Sequence, residues 1–252
     1  MLKQLKNLLA FLTVLPVRMD MDCLTDSARY MFLFPLIGAL LGLIAGVFGW
    51  AVSIFLPALV AGALAFGMLL LLTGLHHTDG LLDFGDAVMY HGTTERKIEI
   101  MHDQLTGAGA LGLGIMTYII TALAIGQFNH DIIIQSLIVI EICAKLSMVV
   151  GTWSGRAVHK GMNSPFMDAM HSKNGTLRLV AASLLSLVIV VPLMWFSGFP
   201  FAGFAVVLAA LFSGLLMVAI AHRHFGGVTG DVLGASNEIT RMVCVVVLLA
   251  MI

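Results

Sequence analysis

Charged residues are scarce in this chain of 252 amino acids. Asp, Glu, Lys and Arg make up 11% of it, whereas a soluble domain usually carries about a quarter. Apolar residues make up 60%, and the net charge is −1. This composition excludes an ordinary soluble domain, gives no support for a nucleic-acid partner, and favours an integral membrane protein.

Cysteine is also rare. Cys23, Cys143 and Cys244 lie far apart, one at a polar edge and two in apolar segments. Their spacing forms neither a zinc-binding pattern nor a disulfide framework. We expect the reducing cytosol and the lipid to be their surroundings.

The basic residues are distributed unevenly. Twelve of the thirteen Lys and Arg residues lie in four polar stretches: 1–30, 75–106, 153–178 and 222–241. Long apolar segments run in pairs between these stretches, and the short connectors inside the pairs carry no Lys or Arg. If each segment crosses a bilayer, the positive-inside rule places all four stretches in the cytoplasm. The sequence therefore predicts a multi-pass protein of the cytoplasmic (inner) membrane, in contact with lipid, whose chemistry faces the cytoplasm.

The apolar segments predict an all-α fold, a polytopic helical bundle that forms one membrane-embedded domain over 1–252. A span needs ~20 apolar residues, and six segments satisfy this. They are 31–55, 58–75, 107–126, 132–152, 178–197 and 201–221. A seventh, near 233–252, contains Glu238 and Arg241. That helix either stops midway or turns both charges toward a polar cavity, which we favour because intramembrane charges are often functional.

The first sixteen residues place leucines at helical spacing, with Lys3 and Lys6 between them. This pattern is typical of an N-terminal interfacial helix. A cleaved signal peptide is the alternative interpretation, but no small-x-small cleavage site follows the leucines. A homo-oligomer is left open by the sequence.

The strongest chemical signal is the segment from His77 to Asp86. Asp79, Asp83 and Asp86 stand at i, i+4 and i+7, so on a helix they lie within ~40° of one another. Like charges at this spacing repel. A cation is the simplest reason to tolerate them, and Mg²⁺ commonly binds one or two carboxylates together with substrate phosphates. A solvated acidic loop is the alternative.

A second cluster of mixed charge spans 95–103. Glu99 and Asp103 stand at i and i+4, with Arg96 on the same side. Alone, this pattern is typical of salt bridges along a helix. Because it comes just before the span at 107–126, it could also be the second half of a site, and Gly107 and Gly109 there allow close backbone approach.

A third cluster is the glycine-rich segment 226–238. A turn opens an apparent helix, whose free N–H groups favour a phosphate. The segment is not a P-loop, because no GK[ST] follows. Asp231 and Glu238 share a face of that helix.

Glu141 and Lys145 lie inside the span 132–152. Either they neutralise each other, or Lys145 reaches a phosphate from within the bundle.

These motifs together resemble the cobalamin synthase family, the adenosylcobinamide-GDP ribazoletransferases. The resemblance rests on HTDGLLDFGD (77–86), ERKIEIMHD (95–103) and GGVTGDVLGASNE (226–238), with FLTVLPV (11–17) and FPLIGALLG (34–42) near the start. It covers nearly the whole chain and keeps the order of the motifs. His102 and the run 104–106 depart from the family, which more often has a basic residue and then Ser-Arg-Ile.

The resemblance implies an integral membrane transferase that needs Mg²⁺ as cofactor. It implies a corrinoid-nucleotide substrate, adenosylcobinamide-GDP, and a ribazole substrate, α-ribazole or its 5′-phosphate. GMP would be the leaving group, and adenosylcobalamin or its 5′-phosphate the product of this late step in vitamin B12 biosynthesis.

The residues and the resemblance lead to three groups of site residues. The catalytic group is Asp83, Asp103 and His77, in which one of the two carboxylates is the base. The metal ligands are Asp79, Asp83, Asp86 and Asp103. The residues that bind substrate and phosphate are Arg96, Lys97, Glu99, Lys145, Gly227, Thr229, Gly230, Asp231 and Glu238.

Three alternatives remain from the sequence. The carboxylate layout also resembles CDP-alcohol phosphotransferases and Asp-rich prenyltransferases. A cation or metabolite transporter is the third, although transporters place their sites near the membrane midplane, whereas these acids gather at the ends of spans.

Overall fold

The chain is all-helical in the computed structural model, which describes residues 2–158, 161 and 163–252. Twelve α-helices and a 3₁₀ turn at Met31–Leu33 occur over these residues. They are α1 (Leu2–Leu12), α2 (Cys23–Arg29), α3 (Phe34–Ser53), α4 (Ala58–Leu72), α5 (His76–Met89), α6 (Thr94–Met101), α7 (Ala108–Ile125), α8 (Ile133–Ser154), α9 (Ser164–His171), α10 (Gly175–Phe196), α11 (Ala202–Phe225) and α12 (Gly230–Met251).

The predicted membrane bundle is confirmed. Within the described ranges, six helices are long and apolar enough to cross a bilayer: α3, α7, α8, α10, α11 and α12. The bent pair of α4 and α5 raises the number to seven. These helices match the predicted segments to within a few residues, because a run of ~20 apolar residues has few other ways to satisfy its backbone.

Helix α8 is the centre of the bundle. It is buried over most of its length and packs against α3, α10, α11 and α12. Glycines on α3 let the two backbones meet, since a Cβ at Gly38 would lie 2.3 Å from the carbonyl oxygen of Glu141. A Cβ at Gly42 would lie equally close to that of Leu137. Small residues commonly allow such close helix packing in membranes.

The second predicted span is broken. Helix α4 ends at Leu72, and α5 starts at His76 with an axis bent by 95° from that of α4. Gly74 and Leu75 at the break both have positive φ, 62° and 61°. The N-terminal segment contacts this break, because the Val14 N–H donates to the Leu72 carbonyl at 2.9 Å. The acidic segment is therefore a separate helix and not a continuation of the apolar span.

The last helix crosses the full bundle. Its 22 residues extend over about 33 Å, so it does not stop midway. Glu238 and Arg241 are both buried, but they contact other charged side chains instead of a polar cavity. The preference for a cavity is wrong, because α8 supplies partners that the local sequence of α12 does not reveal.

Helix α1 is amphipathic, as predicted, and packs against α2 and α3. The Asn7 side chain donates to Asp26 at 2.8 Å, and the Lys3 ammonium lies 2.9 Å from Asp22. The three cysteines are free and buried.

Candidate active site

The polar loops of the bundle meet at one end. Lys97 of α6 lies 2.7 Å from His224 at the end of α11, and the Thr229 hydroxyl donates to the Met101 sulfur at 3.2 Å. Two of the short connectors between spans meet at the other end, where the Ser53 hydroxyl lies 2.8 Å from His130. The three sequence clusters are therefore brought to the same end of the molecule.

The acidic helix lies directly against the start of α12. A Cβ at Gly80 would lie 2.9 Å from the Asp231 carbonyl oxygen, so only glycine permits this approach. Asp79 is exposed and Asp83 half-buried. Asp83 lies within electrostatic range of Asp79, Asp86 and Asp231. The fold thus joins the first and third clusters into one group of carboxylates.

The sequence explains why α5 presents these acids. Leu81 and Phe84 are on the buried face of the helix, and Phe84 packs edge-on against Phe225 with ring centroids 5.8 Å apart. The aspartates occupy positions outside that face. The prediction that Asp79, Asp83 and Asp86 lie on one helix is confirmed.

Asp86 holds the start of α7. Its carboxylate accepts hydrogen bonds from the backbone N–H groups of Gly107 at 2.5 Å and Ala110 at 2.8 Å. Each of the two oxygens has one of these donors. A carboxylate at a helix N-terminus satisfies free N–H groups and is favoured by the helix dipole. Asp86 was predicted to bind metal; in this structure it caps a helix.

Helix α5 runs antiparallel beside α7. Thr78, at the inner end, accepts a hydrogen bond from the Tyr118 hydroxyl at 2.7 Å, while Asp86 contacts the first turn of α7. A Cβ at Gly114 would lie 2.7 Å from the Leu82 side chain, between these two contacts. The acids therefore lie along α5, which extends from the polar end of the bundle toward its interior.

The second cluster forms helix α6, but the helix ends earlier than predicted. It stops at Met101, and Asp103 accepts a hydrogen bond from the Leu105 N–H at 3.2 Å. Asp103 and Glu99 therefore do not share a helical face, because Asp103 begins a local turn.

His102 lies within electrostatic range of Asp231. Asp103 is exposed and lines a cleft of about 450 Å³ together with Asp86, Tyr90 and 105–109.

The cations of α6 are engaged with other residues. Arg96 forms an exposed ion pair with Glu99 at 2.6 Å, and this hydrogen bond raises the pKa of the guanidinium. Lys97 is buried against His224. Both cations and Glu99 were predicted to bind substrate; here they contact one another or the end of α11.

The glycine-rich turn has a defined geometry. Gly226 has φ of 74°, which favours glycine. Thr229 caps α12, since its hydroxyl accepts from the Val232 N–H at 3.3 Å. Gly230 is exposed, and a Cβ there would meet no atom within 4 Å. Gly227 is buried in the turn. The predicted helix start is confirmed, and Gly230 borders open space in front of the acids.

A buried ionic network lies deeper in the bundle. Arg241 pairs with both Glu141 and Glu238. Lys145 lies 3.7 Å from Glu141 and donates to Asn237 at 2.7 Å. The two acids and two bases balance one another. Of the two interpretations of Lys145, mutual neutralisation with Glu141 fits this structure, and Glu238 lies with this network instead of with Asp231.

His77 is buried at the first turn of α5. Its Nδ1 atom has no hydrogen-bond partner within the described part of the chain. A Cβ at Gly234 of α12 would lie 3.4 Å from the Cα and the carbonyl oxygen of His77, so the two backbones are in contact. His77 is therefore close to the group of carboxylates, in the contact between α5 and α12.

Sequence reasoning missed Arg156. Its carbonyl accepts from the Val228 N–H at 2.7 Å, and an isolated parallel β-bridge joins Ala157 to Val228. The residue stands in the predicted polar stretch 153–178, just after α8. Nothing local marks it, because its partner lies 72 residues further along the chain.

The metal-binding potential is confined to carboxylates. Among residues 2–158, 161 and 163–252, no three His, Cys, Asp or Glu side chains converge closely enough to hold a metal ion. Carboxylate oxygen is nevertheless the donor that Mg²⁺ prefers, and Mg²⁺ commonly takes its remaining ligands from water and substrate phosphates. Mg²⁺ at this end of the bundle would therefore have one or two of these carboxylates as ligands and would need water and substrate phosphates for the rest.

The helical bundle and the group of acids at one end of it define a class. It is a multi-pass membrane protein with a charged site at the ends of its helices. Comparison with known families narrows this class. The family model described as cobalamin-5-phosphate synthase matches residues 4–249. The chain belongs to that family.

Curated relatives cover nearly the whole chain. A protein of Methanocella arvoryzae is 35% identical over 254 residues, which is 96% of this chain and 93% of the relative. A protein of Geotalea daltonii is 32% identical over 245 residues, 96% of this chain and 95% of its own. One from Methanococcoides burtonii is 30% identical, with 97% and 90% covered. Each is named adenosylcobinamide-GDP ribazoletransferase. No solved structure matches the chain.

Proposed function

We propose that this protein joins adenosylcobinamide-GDP to α-ribazole or its 5′-phosphate, with release of GMP. The family and the names of its relatives support a role in late cobalamin biosynthesis. The observation that carries the proposal is the contact of Gly80 with Asp231, which combines two acidic segments in front of an open glycine turn.

The reaction transfers a phosphate-linked group between two oxygen atoms. A ribose hydroxyl of the ribazole attacks the phosphorus that is linked to the corrinoid. A P–O bond forms there, the P–O bond to GMP breaks, and GMP leaves with the electron pair. The hydroxyl proton passes to a carboxylate of the protein. Catalysis of this kind rests on positioning and charge stabilisation.

Asp83 is the carboxylate that we assign as proton acceptor. It is half-buried on α5 and surrounded by other acids, which favours the uptake of a proton. Asp103 is exposed and already accepts a backbone hydrogen bond, so it is the weaker choice. His77, buried beside Gly234, would keep the inner end of α5 in place.

We further propose that Mg²⁺ binds here and that Asp79, Asp83 and Asp231 are the residues that would hold it. Bound to a diphosphate, Mg²⁺ would neutralise the charge that develops on the leaving group. Asp86 is less suited to this role than predicted, because both of its oxygens accept hydrogen bonds from the start of α7.

We propose that the bundle lies in the inner membrane and that its site faces the cytoplasm. The polar loops carry nearly all Lys and Arg residues outside the spans, and they meet at the end where the acids lie. The positive-inside rule then orients the bundle. Both substrates are polar and would reach this face from solution.

The proposed function is tested with purified protein in detergent micelles. We expect GMP to appear only when adenosylcobinamide-GDP, the ribazole and Mg²⁺ are all present, in equal amount to the joined corrinoid product. EDTA should stop the reaction, and excess Mg²⁺ should restore it. GMP release that is independent of the ribazole would indicate hydrolysis, and no release under any condition would reject the proposal.

A further inference from the structure

The proposed donor substrate raises a question of charge. A diphosphate that enters a group of aspartates needs cations besides a metal, and Arg96 and Lys97 were expected to supply them. Arg96 is paired with Glu99, and Lys97 is buried against His224. Neither is positioned as a free cation beside the glycine turn.

Most other cations also have partners. Lys145 and Arg241 belong to the buried network, and Arg178 donates to Ala169 and Ser172. In the part of the chain that the structure describes, four basic side chains make no hydrogen bond, ion pair or ring contact. They are Arg18, Arg156, Lys173 and Arg223.

Arg156 is the one whose backbone is fixed to the glycine turn. Its carbonyl accepts from the Val228 N–H at 2.7 Å, and its own N–H donates to the His222 ring at 3.2 Å. Asn163 donates to the Val228 carbonyl at 3.0 Å, which holds the turn from the other side. A Cβ at Gly227 would lie 2.4 Å from the Arg156 carbonyl oxygen, so glycine is needed for this contact.

The glycine turn leads from Arg156 to the acids. Asp231 follows Val228 by three residues, which span at most about 11 Å. The backbone of Asp231 then contacts Gly80, next to Asp79. Arg156 is exposed, so its guanidinium can move toward a ligand in front of the turn.

Arg223 is the closest competitor by sequence, but it lies on the wrong face of α11. Phe225 packs against Phe84 of the acidic helix. Arg223 precedes Phe225 by two residues, which is about 200° around a helix. Its side chain therefore starts from the face of α11 opposite to the acidic helix.

We propose that Arg156 binds the diphosphate of the nucleotide-activated donor. The His222 ring positions Arg156 by accepting a hydrogen bond from the Arg156 backbone N–H. This inference rests on the proposed function and adds a substrate-binding residue to it. Arginine suits the role because its planar guanidinium donates two parallel hydrogen bonds to phosphate oxygens.

The test compares Arg156→Ala and Arg156→Lys with Arg223→Ala, a control that removes the same charge from the face of α11 opposite to the acidic helix. We expect Arg156→Ala to raise the KM for adenosylcobinamide-GDP at least tenfold, while the KM for the ribazole changes less than twofold. Arg156→Lys should recover part of the loss, and Arg223→Ala should leave both constants within twofold of wild type. Equal melting temperatures in detergent verify that the variants are folded.

Two outcomes would overturn the inference: an unchanged donor KM in Arg156→Ala, or an equal rise of both KM values. Equally weakened binding of both substrates would mean that Arg156 only maintains the shape of the glycine-rich turn. Failure of the proposed function is distinguishable, because wild-type protein itself would then release no GMP. A variant that does not fold is replaced by Arg156→Gln, which keeps the length of the side chain and is judged by the same two constants.

Discussion

Asp86 and Ala110 connect the acidic helix to the next membrane span: the Ala110 N–H donates to the Asp86 carboxylate at 2.8 Å. The same carboxylate accepts from Gly107. One aspartate of the acidic face therefore serves the fold, while Asp79 and Asp83 remain available for chemistry. The acidic motif therefore has a structural part, Asp86, and a second part that we propose for the chemistry.

The first prediction separates these parts. Asp86→Ala removes the cap of α7 and should lower the free energy of unfolding by about 1–2 kcal/mol. The Mg²⁺ concentration for half-maximal activity should stay within twofold of wild type. Thermal unfolding in detergent and a Mg²⁺ titration measure the two effects. A higher Mg²⁺ requirement at unchanged stability would make Asp86 a metal ligand after all.

The second prediction concerns the buried network. Arg241→Met leaves Glu141 and Glu238 without their shared partner inside the bundle. Removing one member of a buried pair typically lowers stability by about 3–5 kcal/mol. We expect a correspondingly lower melting temperature in detergent.

A matched double variant checks the cause. Adding Glu238→Gln to Arg241→Met removes the carboxylate that has lost its only charged partner, since Glu141 keeps Lys145 at 3.7 Å, and should restore part of the loss. A single variant as stable as wild type, or a double variant less stable than the single one, would contradict the structural role of the network.

The third prediction concerns the break between α4 and α5. Leu75 has φ of 61° and is exposed. This left-handed conformation costs an L-residue with a side chain roughly 1–2 kcal/mol. Leu75→Gly should therefore raise the melting temperature.

The control for this prediction is Leu64→Gly. Leu64 is also exposed, but it lies in the middle of α4, where glycine costs about 1 kcal/mol relative to alanine. The two substitutions should shift stability in opposite directions. If both destabilise the protein equally, the left-handed residue at the break contributes no strain.

The fourth prediction tests sidedness. The native cysteines are buried, so an introduced thiol is labelled over a low background. Lys173→Cys should react with an impermeant reagent only from the cytoplasmic side, and Gln127→Cys only from outside. Both positions are exposed and lie at opposite ends of the bundle. Labelling of both from the same side would overturn the orientation.

The sequence predicted the spans because apolar length is a local property, and it placed the acids on one helix because their spacing is local too. It did not predict the break at Gly74 and Leu75, where two consecutive left-handed residues bend the chain. It also did not predict the partners of Arg241 or the contact of Arg156 with Val228. Those pairs are separated by long stretches of sequence, and packing of the whole bundle brings them together.

The most direct test of the active site is GMP release by Asp83→Asn. Asparagine keeps the size of the side chain and removes its charge. Asp168→Asn is the matched control, because Asp168 is an exposed aspartate on α9, outside the acidic clusters. The site described here predicts that turnover of Asp83→Asn falls at least ~100-fold, a loss of about 2.7 kcal/mol in transition-state stabilisation, while the control stays near wild type. Near-normal turnover of folded Asp83→Asn would contradict a catalytic role for the acidic helix.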